Sequence, residues 1–303
     1  VERVSREAPV LILQYDGTEV RLGGGANAVH NIHTLGGKPI PLGVLGGDDH
    51  GRRLRALLKE TGVSSRLVVT DPAYVTPVKT RILAGGVHSA KQQMVRIDKA
   101  TRLAEKSPAR RAVLQALRDF PGRVDAVLVS DYGFGLLTPE LVERAVALAR
   151  KRRIPVTVDS RFGLLGFKGM TAVTPNEQEV EAALGISIGN DLGHLEAAGR
   201  TLLRRLGVQA VVITRGGDGM AVFEPGQATL HIPIYGSDQV TDVTGAGDTV
   251  IATFTLALSA GASPAEAALL ANYAGGIVVM KRGTATVSAA ELDRAVAQDH
   301  SLP

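Results

Sequence analysis

The chain has 303 residues, 45% of them hydrophobic, with 35 Gly and neither Cys nor Trp. Such a chain can bury an aliphatic core in one large domain or two small ones. Without Cys it has no disulfides, Cys-ligated zinc or thiol catalysis, which suits a reducing cytoplasm. The net charge of +4 comes from Lys and Arg in short clusters such as Arg52-Arg53, Arg110-Arg111 and Lys151-Arg152-Arg153. That pattern disfavours nucleic acid as a partner and suits phosphorylated small molecules. No apolar run reaches membrane-spanning length, and no signal-peptide pattern opens the sequence, so no membrane partner is expected.

In chain order, Pro9 to Leu13 and Glu19 to Leu22 read as extended segments around a turn at Asp16-Gly17, a hairpin. Ala28, Ile32 and Leu35 keep helical spacing, and Gly36-Gly37 stops that helix. Pro39 to Leu45 reads as a buried strand, and Gly51 to Glu60 as an amphipathic helix with Leu54, Leu57 and Leu58 on one face. Arg66 to Thr70, Thr76 to Leu83 and Gln92 to Ile97 read as antiparallel strands, with a turn at Gly85-Gly86 and no helix between them. With the first hairpin they predict a small separate sheet.

From about residue 99 strands and helices alternate. Strands are predicted at Ala126 to Ser130, Pro155 to Asp159, Thr171 to Thr174 and Ala210 to Thr214. Helices are predicted at Pro139 to Arg150, Glu177 to Leu184, Leu192 to Leu206, Ser263 to Met280 and Ala289 to Ala297. Near-continuous apolar strands such as Ala126-Val127-Leu128-Val129 suit a parallel sheet covered on both faces. Ala221 to Phe223 and Thr229 to Ile232 predict a short meander.

The most informative stretch is Asp242-Val243-Thr244-Gly245-Ala246-Gly247-Asp248, followed by an apolar run from Thr249 to Leu258. The run predicts a buried helix ending at Gly261, so Gly245 to Gly247 fall at its N-terminus. The first N–H groups there lack helical partners and the dipole is positive, so small residues let an anion approach closely. A carboxylate in the same turn, Asp248, can take a proton from an attacking hydroxyl. The same residues also make an ordinary Gly-rich turn with an acidic helix start.

Other stretches carry chemistry too. Gly23-x-Gly25-x-x-Ala28 matches a dinucleotide fingerprint with Asp48 and Asp49 downstream, but a hairpin rather than a buried strand precedes it. Asn176 and Glu179 share a helix face, as a hydrated Mg2+ pair or as a plain capping box. Thr214-Arg215-Gly216-Gly217-Asp218-Gly219 lies beyond a parallel strand, where open α/β sheets bind ligands. His30 and His33 lack a third ligand at useful spacing, and no P-loop motif is present.

These motifs together resemble the ribokinase-like (PfkB) family of carbohydrate kinases, whose signature ends in Gly-Ala-Gly-Asp. The resemblance implies an α/β fold: a doubly wound, mostly parallel sheet flanked by helices, with a small β-sheet lid. It implies a core of residues 23–65 and 99–303 and a lid of 1–22 and 66–98. It assigns Asp248 as base and Gly245, Ala246 and Gly247 as anion hole. Gly24, Gly25, Asn27, Arg96 and Asp131 would contact the sugar. Asn176, Thr214, Gly216, Gly219 and Asn272 would contact the nucleotide, although Asn272 reads equally as a helix-packing residue. Asn176 and Glu179 would hold Mg2+ through water, and Asp242, Thr244 and Gly283 would line a monovalent-cation site for K+. The implied substrates are ATP and a sugar, with a homodimer formed through the lid.

Further stretches are similar to the heptose 7-phosphate kinases of ADP-heptose synthesis. They include Arg6-Glu7-Ala8-Pro9-Val10, Ser130-Asp131-Tyr132-Gly133, Gly219-Met220 and Gly275 to Val287. The implied reaction phosphorylates the anomeric hydroxyl of heptose 7-phosphate, with only the kinase half of the two-part enzymes expected here. The sequence departs from the pattern in three places. It begins after the family's first core strand, Phe134 stands where a Lys is usual, and Asp159-Ser160-Arg161 replaces Asp-Pro-Lys. The alternatives are another sugar or nucleoside kinase of this fold, a nucleotide-binding protein without catalysis, and an NAD enzyme using residues 23–28.

Overall fold

A computed structural model describes residues 3–4, 11–85, 91–236 and 241–299. It opens with a two-residue pair, β1 (Arg3–Val4) and β2 (Leu11–Ile12), joined antiparallel. The expected hairpin partner, Glu19 to Leu22, forms no strand. The expected strand residues Pro9 and Val10, the Arg6 to Val10 stretch and Gly86 of the expected turn lie outside the described residues.

Helix α1 (Gly25–Thr34) leads to β3 (Gly43–Gly46), α2 (Asp49–Glu60) and β4 (Val68–Asp71). Strand β4 pairs parallel with β3, Val44 opposite Val69, and not antiparallel as its helix-free surroundings suggested. The intervening α2 supplies the crossover that a parallel pair needs. The antiparallel hairpin is β5 (Val78–Ala84) and β6 (Gln92–Lys99), a two-stranded sheet of its own, with an irregularity between Ile82 and Leu83.

Helix α3 (Pro108–Arg118) was not foreseen, although Ser107 caps it in the ordinary way and Pro108 stands at its start. Next come β7 (Val127–Asp131), α4 (Pro139–Arg152), β8 (Val156–Ser160) and β9 (Ala172–Val173). They are followed by α5 (Glu177–Leu184), α6 (Leu192–Leu206), β10 (Ala210–Thr214), β11 (Met220–Phe223) and β12 (Leu230–Ile232). The chain ends in α7 (Ala246–Ser259), α8 (Pro264–Val279) and α9 (Ala289–Gln298).

The main sheet runs β12-β11-β10-β9-β8-β7, with β7 to β10 parallel and the last two strands antiparallel. Alternation along β10 divides the core. Val211 and Ile213 face one layer with Leu195, Leu202 and Phe223, while Ala210 and Val212 face α7 and α8. Thr157 points to the α7 side and its hydroxyl lies 2.5 Å from that of Thr255. This packing fixes α7 against the sheet and aims its N-terminus at the carboxyl ends of the parallel strands.

Candidate active site

Most α-helices here are closed at the start by a side chain: Asp48, Ser107, Thr138, Asn176, Asp191, Ser263 and Ser288. Two are not. Helices α1 and α7 begin at Gly24 and Gly245, with no side-chain cap. No side chain covers these two helix starts, although the Ala246 N–H of α7 turns back to the Val243 carbonyl at 3.3 Å and the Ala26 and Asn27 N–H groups of α1 to the Gly23 and Gly24 carbonyls at 3.2 and 2.8 Å. Both glycines line one cavity of roughly 2810 Å3 together with Asp248, Tyr132 and Asp131.

Gly245 has φ +82, and a Cβ there would come 2.4 Å from Nδ2 of Asn27. Only glycine lets α7 start this close to α1. Gly24 has φ +55 and packs its bare Cα against the Tyr132 ring. Gly25 is exposed, and Gly247 is exposed at the tip of α7 while Ala246 is half-buried.

Asp248 is 2% exposed. Its Oδ2 accepts from Asn27 Nδ2 at 3.0 Å, and its Oδ1 accepts from the Tyr132 hydroxyl at 2.7 Å. Burial pushes its carboxyl up to about 6, against the opposing pull of Tyr132, Asn27 and the Arg161 guanidinium. A carboxylate in that range can both accept a proton and release it near neutral pH. Burial beside Asp248 also drives the Tyr132 hydroxyl far above its ordinary value, so it stays a donor.

Asn27, expected from its motif at the sugar, is engaged within the chain beside the base. It is buried, its amide donates to Asp248 and to the Gly245 carbonyl at 3.2 Å, and its own side-chain oxygen accepts from Asn31 at 3.3 Å. It orients the carboxylate. Asp131 lines the cavity, but Oδ1 accepts from the Gly133 N–H at 2.9 Å and Oδ2 from the Ser160 hydroxyl at 2.8 Å. Arg96 lines the cavity from the hairpin, 3.0 Å from Asp98.

Of the residues expected at a nucleotide, Asn176, Thr214, Gly216 and Gly219 gather around neighbouring strand ends and Asn272 lies in α8, none of them in that cavity's lining. Asn176 and Thr214 form an isolated parallel bridge. Asn176 and Glu179 form a reciprocal capping box, each bond 2.9 Å, through Asn176 Oδ1 and Glu179 Oε2. Arg215 ties the following loop to α5 through Glu177 at 2.8 Å. Gly216 is exposed with φ +55. Gly219 owes its identity to packing, since a Cβ there would meet the Ile232 carbonyl at 2.0 Å. Asn272 is buried in α8 and donates to the Pro233 carbonyl at 2.8 Å.

Asp242 accepts N–H bonds from Thr244 on Oδ1 and Gly283 on Oδ2, both at 2.9 Å. Burial pushes its carboxyl up, but these bonds and the Arg81 guanidinium outweigh that and hold it below the usual range.

Three cavity or rim residues carry more of the site than their motifs disclosed. Arg161 stacks over the Tyr132 ring at 4.9 Å and also lines the cavity. Asp159 is pushed up to about 8 by burial and then by the charges of Glu179, Asp248 and Asp131, against the pull of Arg161. Arg81 stands directly opposite Arg96 in the hairpin and lines the same cavity. The signal available for Asp159 and Arg161 was a charged pair at the carboxyl end of a strand. For Arg81 it was a cross-strand register that sequence alone does not fix.

The model of the "pfkB family carbohydrate kinase" matches residues 1–291. The chain is 42% identical over 292 residues to the bifunctional protein HldE of Geobacter sulfurreducens, covering 96% of this chain and 58% of that protein. Its counterpart in Caulobacter vibrioides is 40% identical over 295 residues, covering 96% and 59%. The chain thus spans about 60% of the length of the curated relatives it matches. Among solved structures, ribokinase of Arabidopsis thaliana complexed with ribose and ATP gives a TM-score of 0.71 at 21% identity, covering 91% of this chain and 88% of that one. Phosphofructokinase-2 of Escherichia coli in complex with potassium gives 0.73 at 20%, covering 91% and 87%. At such identities the likeness is one of fold, and it is the ribokinase-like fold.

Proposed function

Because this chain belongs to the pfkB family of carbohydrate kinases, we propose that it transfers the γ-phosphoryl group of ATP to a sugar hydroxyl. The acceptor in this reading is D-glycero-β-D-manno-heptose 7-phosphate, phosphorylated at its anomeric hydroxyl to the 1,7-bisphosphate. The observation that carries the reaction is the uncapped start of α7 with Asp248 beside it in the cavity wall. Asp248 takes the proton of the acceptor hydroxyl, whose oxygen attacks the γ-phosphorus as the bond to ADP breaks. The amides of Gly245, Ala246 and Gly247 hold the charge on the moving phosphoryl group. Asn27 and Tyr132 each fix one oxygen of the base, and its remaining lone pairs serve the acceptor.

A phosphorylated acceptor is supported by the Arg81–Arg96 pair. Like charges directly opposite in an antiparallel pair destabilise the hairpin. A phosphate dianion reaching both would reverse that penalty and place the sugar between hairpin and base. The hairpin serves as the lid in this reading, closing over the cavity and excluding water as a competing acceptor.

For the nucleotide, Asn176, Thr214 and Gly216 form the rim on which the ATP phosphates and adenine lie. The site's residues fit Mg2+ held through water. The cap bonds leave Glu179 Oε1 free of them; burial raises the Glu179 carboxyl, and burial followed by the charges of Glu179, Asp248 and Asp131 raises that of Asp159. Bound there, such an ion would supply positive charge to the ATP phosphates.

A homodimer is supported by the other face of the same hairpin. Alternation along β6 puts Val95 and Ile97 on the face opposite Arg96, outside the cavity lining and 50% and 54% exposed. A second copy pairing there would cover them. Ile97→Lys is expected to shift sedimentation from dimer to monomer, and an unchanged dimer would refute this interface.

The test of function is ADP release across a panel of sugars, sugar phosphates and nucleosides. Turnover selective for heptose 7-phosphate supports the full reading. Turnover selective for another acceptor keeps the kinase and rejects the heptose.

A further inference from the structure

Arg21 lies outside the machinery described above, yet it reaches across the molecule to it. Its Nη1 donates to the carbonyl of Arg282 at 2.7 Å and to that of Thr284 at 3.4 Å. Its Nε and Nη2 donate to Glu19 Oε2 at 3.1 and 2.9 Å, which fixes the guanidinium plane. Gly283, between the two carbonyls, packs under the same side chain, and its N–H donates to Asp242. Asp242 in turn accepts from Thr244, the residue before Gly245. The Thr284 methyl would touch a Cβ on Gly245 at 3.3 Å. Contacts therefore run unbroken from Arg21 through the 282–284 loop to the tip of α7.

Asp242, Thr244 and Gly283 are where the family resemblance implies a monovalent cation. The donor set here does not fit one. The carbonyls of Arg282 and Thr284 already face a guanidinium, whose charge would repel a second cation beside the Asp242 carboxylate. We infer that Arg21 is a positioning residue that supplies this positive charge from within the chain. It holds the 282–284 loop against the start of α7, and phosphoryl transfer needs no K+. The activity part rests on the kinase reading; the ion dependence of folding stability does not.

The experiment compares wild type, Arg21→Ala and Arg21→Gln in KCl and in tetramethylammonium chloride at equal ionic strength, reading Tm and kcat. Wild-type Tm and kcat are expected to be the same in both salts. Both variants are expected to lose roughly tenfold in kcat and to melt lower, as for loss of a charge-assisted hydrogen bond. In the variants KCl should restore part of both losses, because the vacated carbonyls can then take a cation. Arg21→Gln retains an N–H donor for the loop, so it serves if Arg21→Ala does not fold. A wild type that gains stability or turnover from KCl overturns the inference. So do variants that match wild type, and variants that lose stability without acquiring a response to KCl. Failure of every acceptor to turn over would reject the kinase reading, while the Tm comparison would still decide the role of Arg21.

Discussion

Tyr132 donates its hydroxyl to Oδ1 of Asp248 at 2.7 Å, and the same ring carries the Arg161 guanidinium 4.9 Å from its centroid. The hydrogen bond favours the ionised carboxylate in a setting whose burial favours the neutral one. Tyr132→Phe removes that donor and leaves the ring. The acid limb of the kcat/KM profile, expected near pH 6 in wild type, should move up by about one pH unit. The alkaline plateau should change less. A limb that stays in place would mean Tyr132 does not tune the base.

Asp159 gives a stability prediction of definite sign. Its folded-state value of about 8 lies above the ordinary 3.8, so the folded protein holds that proton more tightly than the unfolded chain. The stabilisation is fully present below pH 3.8 and is lost as pH rises through 8. Asp159→Asn keeps the shape without the ionisation. Its Tm should exceed that of wild type at pH 9 by several degrees, about 2–4 °C per kcal/mol recovered. The two melting curves should converge toward pH 4. Thermal melts across that range check it.

Much of this site could be read in the sequence because small residues and caps act locally. The Gly245-Ala246-Gly247-Asp248 run predicted an uncapped helix start with an acid beside it, and α7 begins at Ala246 after an αL Gly245. The parallel strands were legible from their unbroken apolar runs. What escaped depends on partners distant in the chain. Asn27 reads as a polar residue near a glycine turn until α1 packs on α7 and its amide meets Asp248, 221 positions away. The β4 strand looks like part of a meander until α2 is seen to bring it parallel to β3. The Asn176–Glu179 spacing was open between metal pair and capping box. The cap is what forms, and any ion must use the oxygen the cap leaves.

Gly245→Ala should be far more damaging than its size suggests. The φ of +82 disfavours any side chain, and the new methyl would collide with the Asn27 amide that holds Asp248. A stability loss above about 1 kcal/mol is expected, with kcat falling as the base is displaced. Gly217→Ala, where a Cβ would meet nothing within 4 Å, serves as the near-neutral control in the same melts and assays.

The hairpin arginines should separate substrate affinity from chemistry. Arg81→Ala and Arg96→Ala each remove one half of a cationic pair facing the cavity. KM for the phosphorylated sugar should rise roughly tenfold or more, as for loss of a charge-assisted contact. KM for ATP should hold. An equal rise for both substrates would place the pair on the nucleotide side.

The central claim is that Asp248 takes the proton of the acceptor at the tip of α7, and Asp248→Asn tests it most directly. The variant keeps the shape, gives up one of the two accepting oxygens that Asn27 and Tyr132 donate to, and cannot serve as base near neutral pH. Single-turnover phosphoryl transfer from labelled ATP to the sugar phosphate should fall by about 10²–10⁴-fold, with ATP affinity by titration close to wild type. Transfer at a rate near that of wild type would contradict the account.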